Sequence, residues 1–200
     1  MHTFDEKAIL EAMHDLEPWR RTLFALSCAT RLIDSYERFH QRTGRGDSKG
    51  LRSLAENLWK DLAGAEMTTG DVEAGLEAAL ALLPDEKAYD TISQPYAEDA
   101  AAALAYAFQA RKSGDPQYPA WAARRVYEAV DSFVVAETDA VIGESETEQK
   151  IVAHPLVQAE LARQERDIEL LEAADFEAPQ LEAMRQRGIE EGQRLFTPLE

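Results

Sequence analysis

Positive charge is in short supply in this sequence: 21 Lys and Arg face 38 Asp and Glu, a formal charge of −17. Nucleic acid and anionic membrane surfaces both demand clustered positive charge, so neither is expected as a partner. Cysteine is almost absent. Cys28 stands alone, which excludes an intramolecular disulfide and points to a reducing compartment. The N-terminal stretch MHTFDEKAILEAMHDLEP has neither an apolar signal core nor transit-peptide character, so a cytoplasmic location is expected. No segment alternates with period two for long enough to predict a strand, and no repeat recurs at a fixed period.

What is present is enough to build a core. The chain has 200 residues, 45% of them hydrophobic, with three Trp, six Tyr and seven Phe. That suits one domain over 1–200, with the last helix, 179–196, as a possible extension or dimer arm. The acidity is uneven. Residues 1–60 hold 10 bases and 9 acids, whereas 61–200 hold 11 bases and 29 acids. The first third is therefore relatively basic and suited to pack electrostatically against the rest.

The stretch from Tyr96 to Lys112 organises the chain. From Ala100 to Phe108 it carries no charge, and the Tyr106 hydroxyl is its one polar side-chain group. Ala and Leu are the strongest helix formers, and a helix apolar on all sides must be surrounded. It is too short for a bilayer, which takes about 20 apolar residues, so it reads as the central helix of a bundle. Periodicity, with Pro and Gly as punctuation, places further helices around it. These run over Ile9 to Leu16, Pro18 to Arg42, Leu51 to Leu62, Asp71 to Leu83, Pro119 to about 142, His154 to Ala174 and Pro179 to Phe196. Residues 84–95 read as a loop, and ESETEQK (144–150) as a solvated connection. The fold expected is an all-α bundle of about eight helices around the Ala-rich helix 96–112.

Three segments resemble the YjaG-like family of bacterial all-helical proteins. The first runs from Trp19 to Gly50, with Phe24, Arg31, Tyr36, Phe39, Gly44, Gly46 and Asp47 in the family pattern. The second is PYAEDAAAALAYAF, with Pro95, Asp99 and Ala100. The third is HPLVQAELARQERDIELL, with its ERDIEL run from Glu165 to Leu170. The resemblance spans about 15–175 and implies a helical fold and a bacterial cytosolic origin. It implies no reaction.

Several groups of residues could carry chemistry. Glu11 with His14, and Glu37 with His40, form Glu-x-x-His pairs, the motif by which ferritin-like bundles hold metals. Such sites draw further glutamates from distant helices, whereas these pairs lie on neighbouring ones. They read as surface histidines, with no metal or cofactor expected. The loop Gly44 to Gly50 lacks the strand and the GxxxxGK[ST] spacing of a P-loop. Gly44 suits a left-handed cap and Asp47 or Ser48 an N-cap. The competing reading is an anion loop of Arg45, Asp47, Ser48 and Lys49.

In the second helix Arg20, Arg31, Arg38 and Arg42 fall opposite the apolar arc, with Asp34 at the margin. Asp34 is spaced to pair with Arg31 and Arg38, and the acidic remainder offers Asp99 or Glu165 to Arg31. Glu165, Asp167 and Glu169 crowd one segment and suit a charged face better than acid–base work. Cys28, mid-helix among apolar neighbours, reads as a small core residue. Gly188 and Gly192 permit a close backbone approach, within the chain or between copies. Val157, Leu161, Gln164, Ile168 and Leu171 lie on a second seam.

No catalytic signature emerges. The leading expectation is a non-enzymatic protein–protein interaction module, plausible as a homodimer through its last two helices. The alternative is a small-anion or metabolite binder, or an enzyme, with a polar pocket lined by Arg31, Asp99 and the Glu165–Glu169 segment, including Asp167.

Overall fold

Local signals set the helix ends. The structure, a computed structural model, describes residues 1–85, 92–138 and 145–196. Asp5 accepts the backbone N–H groups of Lys7 and Ala8 to start α1 (Glu6–Asp15). Pro18 opens α2 (Pro18–Thr43), and Gly44 closes it in the left-handed conformation at φ +67°, where a Cβ would be unfavourable. Asp47 caps α3 (Ser48–Lys60), which runs into a single π turn, Asp61–Ala65. Thr68 and Asp71 cap α4 (Thr69–Ala81) reciprocally, satisfying two orphan donors. The remaining elements are α5 (Gln94–Ser113), α6 (Gln117–Thr138), α7 (Ser145–Val152), α8 (Pro155–Glu172) and α9 (Ala178–Leu195).

Among the described residues the chain is an all-α bundle with no strand. Helix ends shift by a few residues from those expected, and one departure is larger. The stretch 144–150 is not merely a connection: 145–152 form α7, whose Ile151 is buried. Its charge density hid a helix anchored by one apolar residue. Residues 86–91, part of the expected 84–95 loop, and the end expected near Gly143 lie outside the described residues.

The Ala-rich helix is enclosed as its composition demands. Ala97, Ala100, Ala101, Ala103, Leu104, Ala105, Ala107, Phe108 and Ala110 are all buried, against α2, α4 and α6. Small side chains let α5 lie close to these neighbours. It shares the centre with α2, which is buried on almost every side and packs against α3, α5, α6, α8 and α9. One core cluster draws residues from α1 to α9.

The two late seams are used within the chain. Val157, Leu161, Gln164 and Leu171 of α8 are buried and Ile168 partly so. So are Leu181, Met184, Gly188, Gly192 and Leu195 of α9, which packs on α2. The glycines explain that approach. A Cβ on Gly192 would stand 2.8 Å from the carbonyl oxygen of Arg31, whereas one on Gly188 would meet the methyl of Thr30 at 3.3 Å. Backbone cannot yield as a methyl can.

Gly192→Ala is therefore expected to destabilise the protein by about 1–3 kcal/mol, the usual cost of overpacking. Gly188→Ala should stay within about 1 kcal/mol of wild type, because gained helix propensity offsets the tight contact. Urea denaturation of the two variants checks the contrast.

Candidate functional site

The arginines of α2 are the first polar groups to account for. Arg31 is 0% exposed, so its charge must be met inside the protein. Its Nη1 donates to Asp167 Oδ2 at 2.9 Å and to Ser27 Oγ at 3.1 Å. Its Nη2 donates to Glu160 Oε1 at 3.0 Å and lies 3.4 Å from Cys28 Sγ. Ser27 Oγ in turn donates to Asp167 Oδ2 at 2.8 Å. Gln164 Nε2 bonds Glu160 Oε1 at 2.9 Å and the Ala123 carbonyl at 3.1 Å, which ties α8 to α6. Burial works against the charge on Arg31, but Glu160, with Asp167, outweighs it and holds the guanidinium above its ordinary value. Around this centre Arg163 approaches Glu160, and Arg166 and Arg187 approach Asp167. Arg163 and Arg166 also meet Glu191 of α9.

Three further α2 arginines, Arg20, Arg21 and Arg38, close helix C-termini, where four carbonyls lack intrahelical partners. Arg20 Nη1 reaches the Leu171 and Ala173 carbonyls at the end of α8. Arg21 donates to Gly114 O, ending α5, and to His14 O, ending α1. Arg38 donates to Phe196 O and Gln193 O, ending α9.

The proposed polar cluster is thus brought together only in part. Arg31 and Asp167 meet, joined by Glu160, which spacing alone did not single out. Asp99 lies elsewhere, 3.2 Å from Arg125 of α6. Glu165 faces outward to His2 at 3.0 Å, with its side chain 57% exposed. Asp34 pairs with Arg52 of α3, together with Glu37, rather than with Arg31 or Arg38. The reason is geometric: α8 crosses α2 so that every seventh residue, 160 and 167, faces Arg31, and 165 falls on the far side.

In the loop after α2, the Asp47 carboxylate itself takes the α3 N-terminus, accepting Gly50 N at 2.8 Å. Ser48 is buried, Arg45 and Lys49 are exposed, and the Arg45 carbonyl bonds His40 Nδ1 at 2.9 Å. Among the described residues no three His, Cys, Asp or Glu side chains gather as metal ligands. Burial pushes the Cys28 thiol up to about 12, so it stays protonated.

The surface carries a second arrangement that the sequence reading did not assemble. The turn at 114–116 folds α6 back along α5, which sets Tyr106 across from Tyr118 and Trp121. Trp121 lies 5.5 Å from each tyrosine ring, and the two tyrosines lie 6.2 Å apart. Trp121 is 36% exposed. Together with Arg124, Arg125 and Glu128, Tyr106 and Trp121 line a depression of about 220 Å³. The available signal was Tyr106, the one polar group in the Ala-rich run, placed opposite aromatics after a short turn. Asp99, under Arg125, has a carboxyl raised to about 6, chiefly by burial and against the pull of Arg125.

The fold and interior define the class: an all-α bundle held by a buried arginine–carboxylate network, with no membrane-crossing helix among the described residues. The chain belongs to the family described as protein of unknown function (DUF416), whose model matches residues 8–194. A DUF416 family protein from Shewanella baltica OS155, known from a crystal structure, shares the fold with a TM-score of 0.78 and 18% identity. The match covers 90% of this chain and 93% of that one. No curated protein matches the sequence.

Two expectations follow. Arg31→Met strands Glu160 and Asp167 and should cost about 3–5 kcal/mol in urea denaturation. Adding Glu160→Gln and Asp167→Asn should restore part of that loss. For Asp99 the folded pKa lies above the unfolded one, so the folded state holds this proton more tightly. Its stabilising contribution is complete below about pH 4 and is lost as pH rises through about 6. Wild type should therefore lose ground to Asp99→Asn between about pH 4 and 7, as measured by urea titrations at each pH.

Proposed function

We propose that the protein is a non-catalytic, acidic helical module that docks a partner protein on the aromatic face of α5 and α6. The observation that carries this reading is the surface cluster of Tyr106, Tyr118 and Trp121 beside Arg124 and Arg125. Trp, Tyr and Arg are the residues that dominate binding energy at protein interfaces, because they present large rigid area with polar edges. A tryptophan packed against two tyrosines is preorganised and loses little side-chain entropy on docking.

Charge indicates the partner's character. At −17, two copies of this chain repel each other, and the late seams that suggested a homodimer are filled within one chain. A different protein, one that carries an apolar anchor for the aromatic rings, complements the face. The small-anion reading loses its support, since Arg31 is enclosed and Asp99 stands apart from it.

Affinity capture from a native lysate tests the proposal, with wild type and Trp121→Ala run in parallel at matched thermal stability. A protein retained by wild type should be reduced about tenfold or more by the substitution. Equal retention by both, with the variant folded, would count against this face.

A further inference from the structure

The aromatic face differs from the other aromatic contacts of the bundle in the hydrogen bonds it leaves unmade. Trp19 and Trp59 spend their indole N–H groups inside the chain, on Glu17 Oε2 at 2.7 Å and Thr30 Oγ1 at 3.0 Å. Trp121 donates to no described residue, and the Tyr118 hydroxyl bonds none either. The Tyr106 hydroxyl, by contrast, is engaged by Arg125. Trp121 meets Tyr118 edge to face at 82° and Tyr106 at 51°. Rings inclined in this way leave notches between them that a flat stack lacks. Donors set among such rings call for an acceptor that arrives with rigid apolar bulk.

The forms of peptide that could reach this face differ in what their backbones offer. A helix spends its carbonyls on its own ladder, and its cylinder, about 10–12 Å across, needs a longer groove than a depression of about 220 Å³. A strand binds by extending a sheet edge, and the described residues hold no strand. A polyproline II segment makes no internal hydrogen bonds, so its carbonyls are open to a donor. Its prolyl rings are stiff and apolar, and they dock on aromatic faces with little entropy left to lose.

We propose that the aromatic face docks a proline-rich segment in the polyproline II conformation. Its rings pack against Tyr106, Tyr118 and Trp121, and its carbonyls accept from Trp121 Nε1 and the Tyr118 hydroxyl. This rests on the docking reading above and narrows its partner. Arg124 is held by Glu6 and Glu128, and Arg125 by Asp99, so the segment needs no charge of its own.

NMR titration of the isotope-labelled full chain with an uncharged decaproline peptide, blocked at both ends, tests the inference. The three tryptophans give three indole N–H signals, and that of Trp121 is the one Trp121→Phe removes. It should shift with a Kd of about 1 mM or tighter and little dependence on salt, while those of Trp19 and Trp59 stay in place. A Gly-Ser peptide of equal length and an Ala-rich helical peptide should leave it unmoved. Trp121→Phe keeps a ring without the donor and should weaken decaproline about fivefold, the loss of one neutral hydrogen bond. Trp121→Ala should weaken it about tenfold or more, with both variants followed through the backbone amide signals of α6. No shift at about 5 mM decaproline, an equal shift with either control peptide, or undiminished binding to the folded variants would overturn the proposal. Capture of a lysate protein through Trp121 without any response to decaproline would overturn the proline inference alone and leave the docking reading standing.

Discussion

The charge of Arg31, sealed from water in the middle of α2, is the constraint to which the rest of the bundle answers. A guanidinium there is tolerable only if carboxylates converge on it, and Glu160 and Asp167 of α8 do so from one helix face. That requirement fixes where α8 crosses α2. Seating Asp167 also recruits Ser27, and seating Glu160 recruits Gln164, which carries the restraint into α6. α9 then closes over the same stretch of α2, its Gly192 against the Arg31 backbone and its Glu191 meeting the outer arginines. Arg20, Arg21 and Arg38 extend the scheme by capping the ends of α8, α5, α1 and α9. One helix thereby sets the positions of four others through charge-assisted bonds, whose directionality apolar packing lacks.

This arrangement separates roles in space. Four guanidiniums and three carboxylates, the network of Arg31, Arg163, Arg166 and Arg187 with Glu160, Asp167 and Glu191, are spent on architecture. The aromatic face of α5 and α6 lies outside that network, at the surface. Membership of a family of unknown function leaves the reading of that face to its chemistry. Aromatic rings flanked by arginines favour protein contact.

The helices themselves were legible from the residues. Pro18, Gly44, Thr68 with Asp71, and Gly114 act within one turn of their own position, so their effect does not wait on the fold. The enclosure of α5 was legible for a related reason: Ala100 to Phe108 offer water no side-chain polar group but the Tyr106 hydroxyl. α7 was missed because its charges mimic a solvated linker and only Ile151 gives it an apolar anchor. Arg31 and Asp167 were identifiable as candidates for pairing, but not as each other's partners, and Glu160 was passed over.

Sequence by itself therefore determined every helix but α7, where most of them stop and which must be buried, because those outcomes follow from propensity, capping and burial of apolar surface. The tertiary structure alone decided that Asp99 belongs to Arg125 rather than Arg31, that Glu165 faces out, and that the late seams close on their own chain. Those pairings depend on the angle and offset at which helices cross. A rotation of one residue, about 100°, exchanges a buried partner for an exposed one.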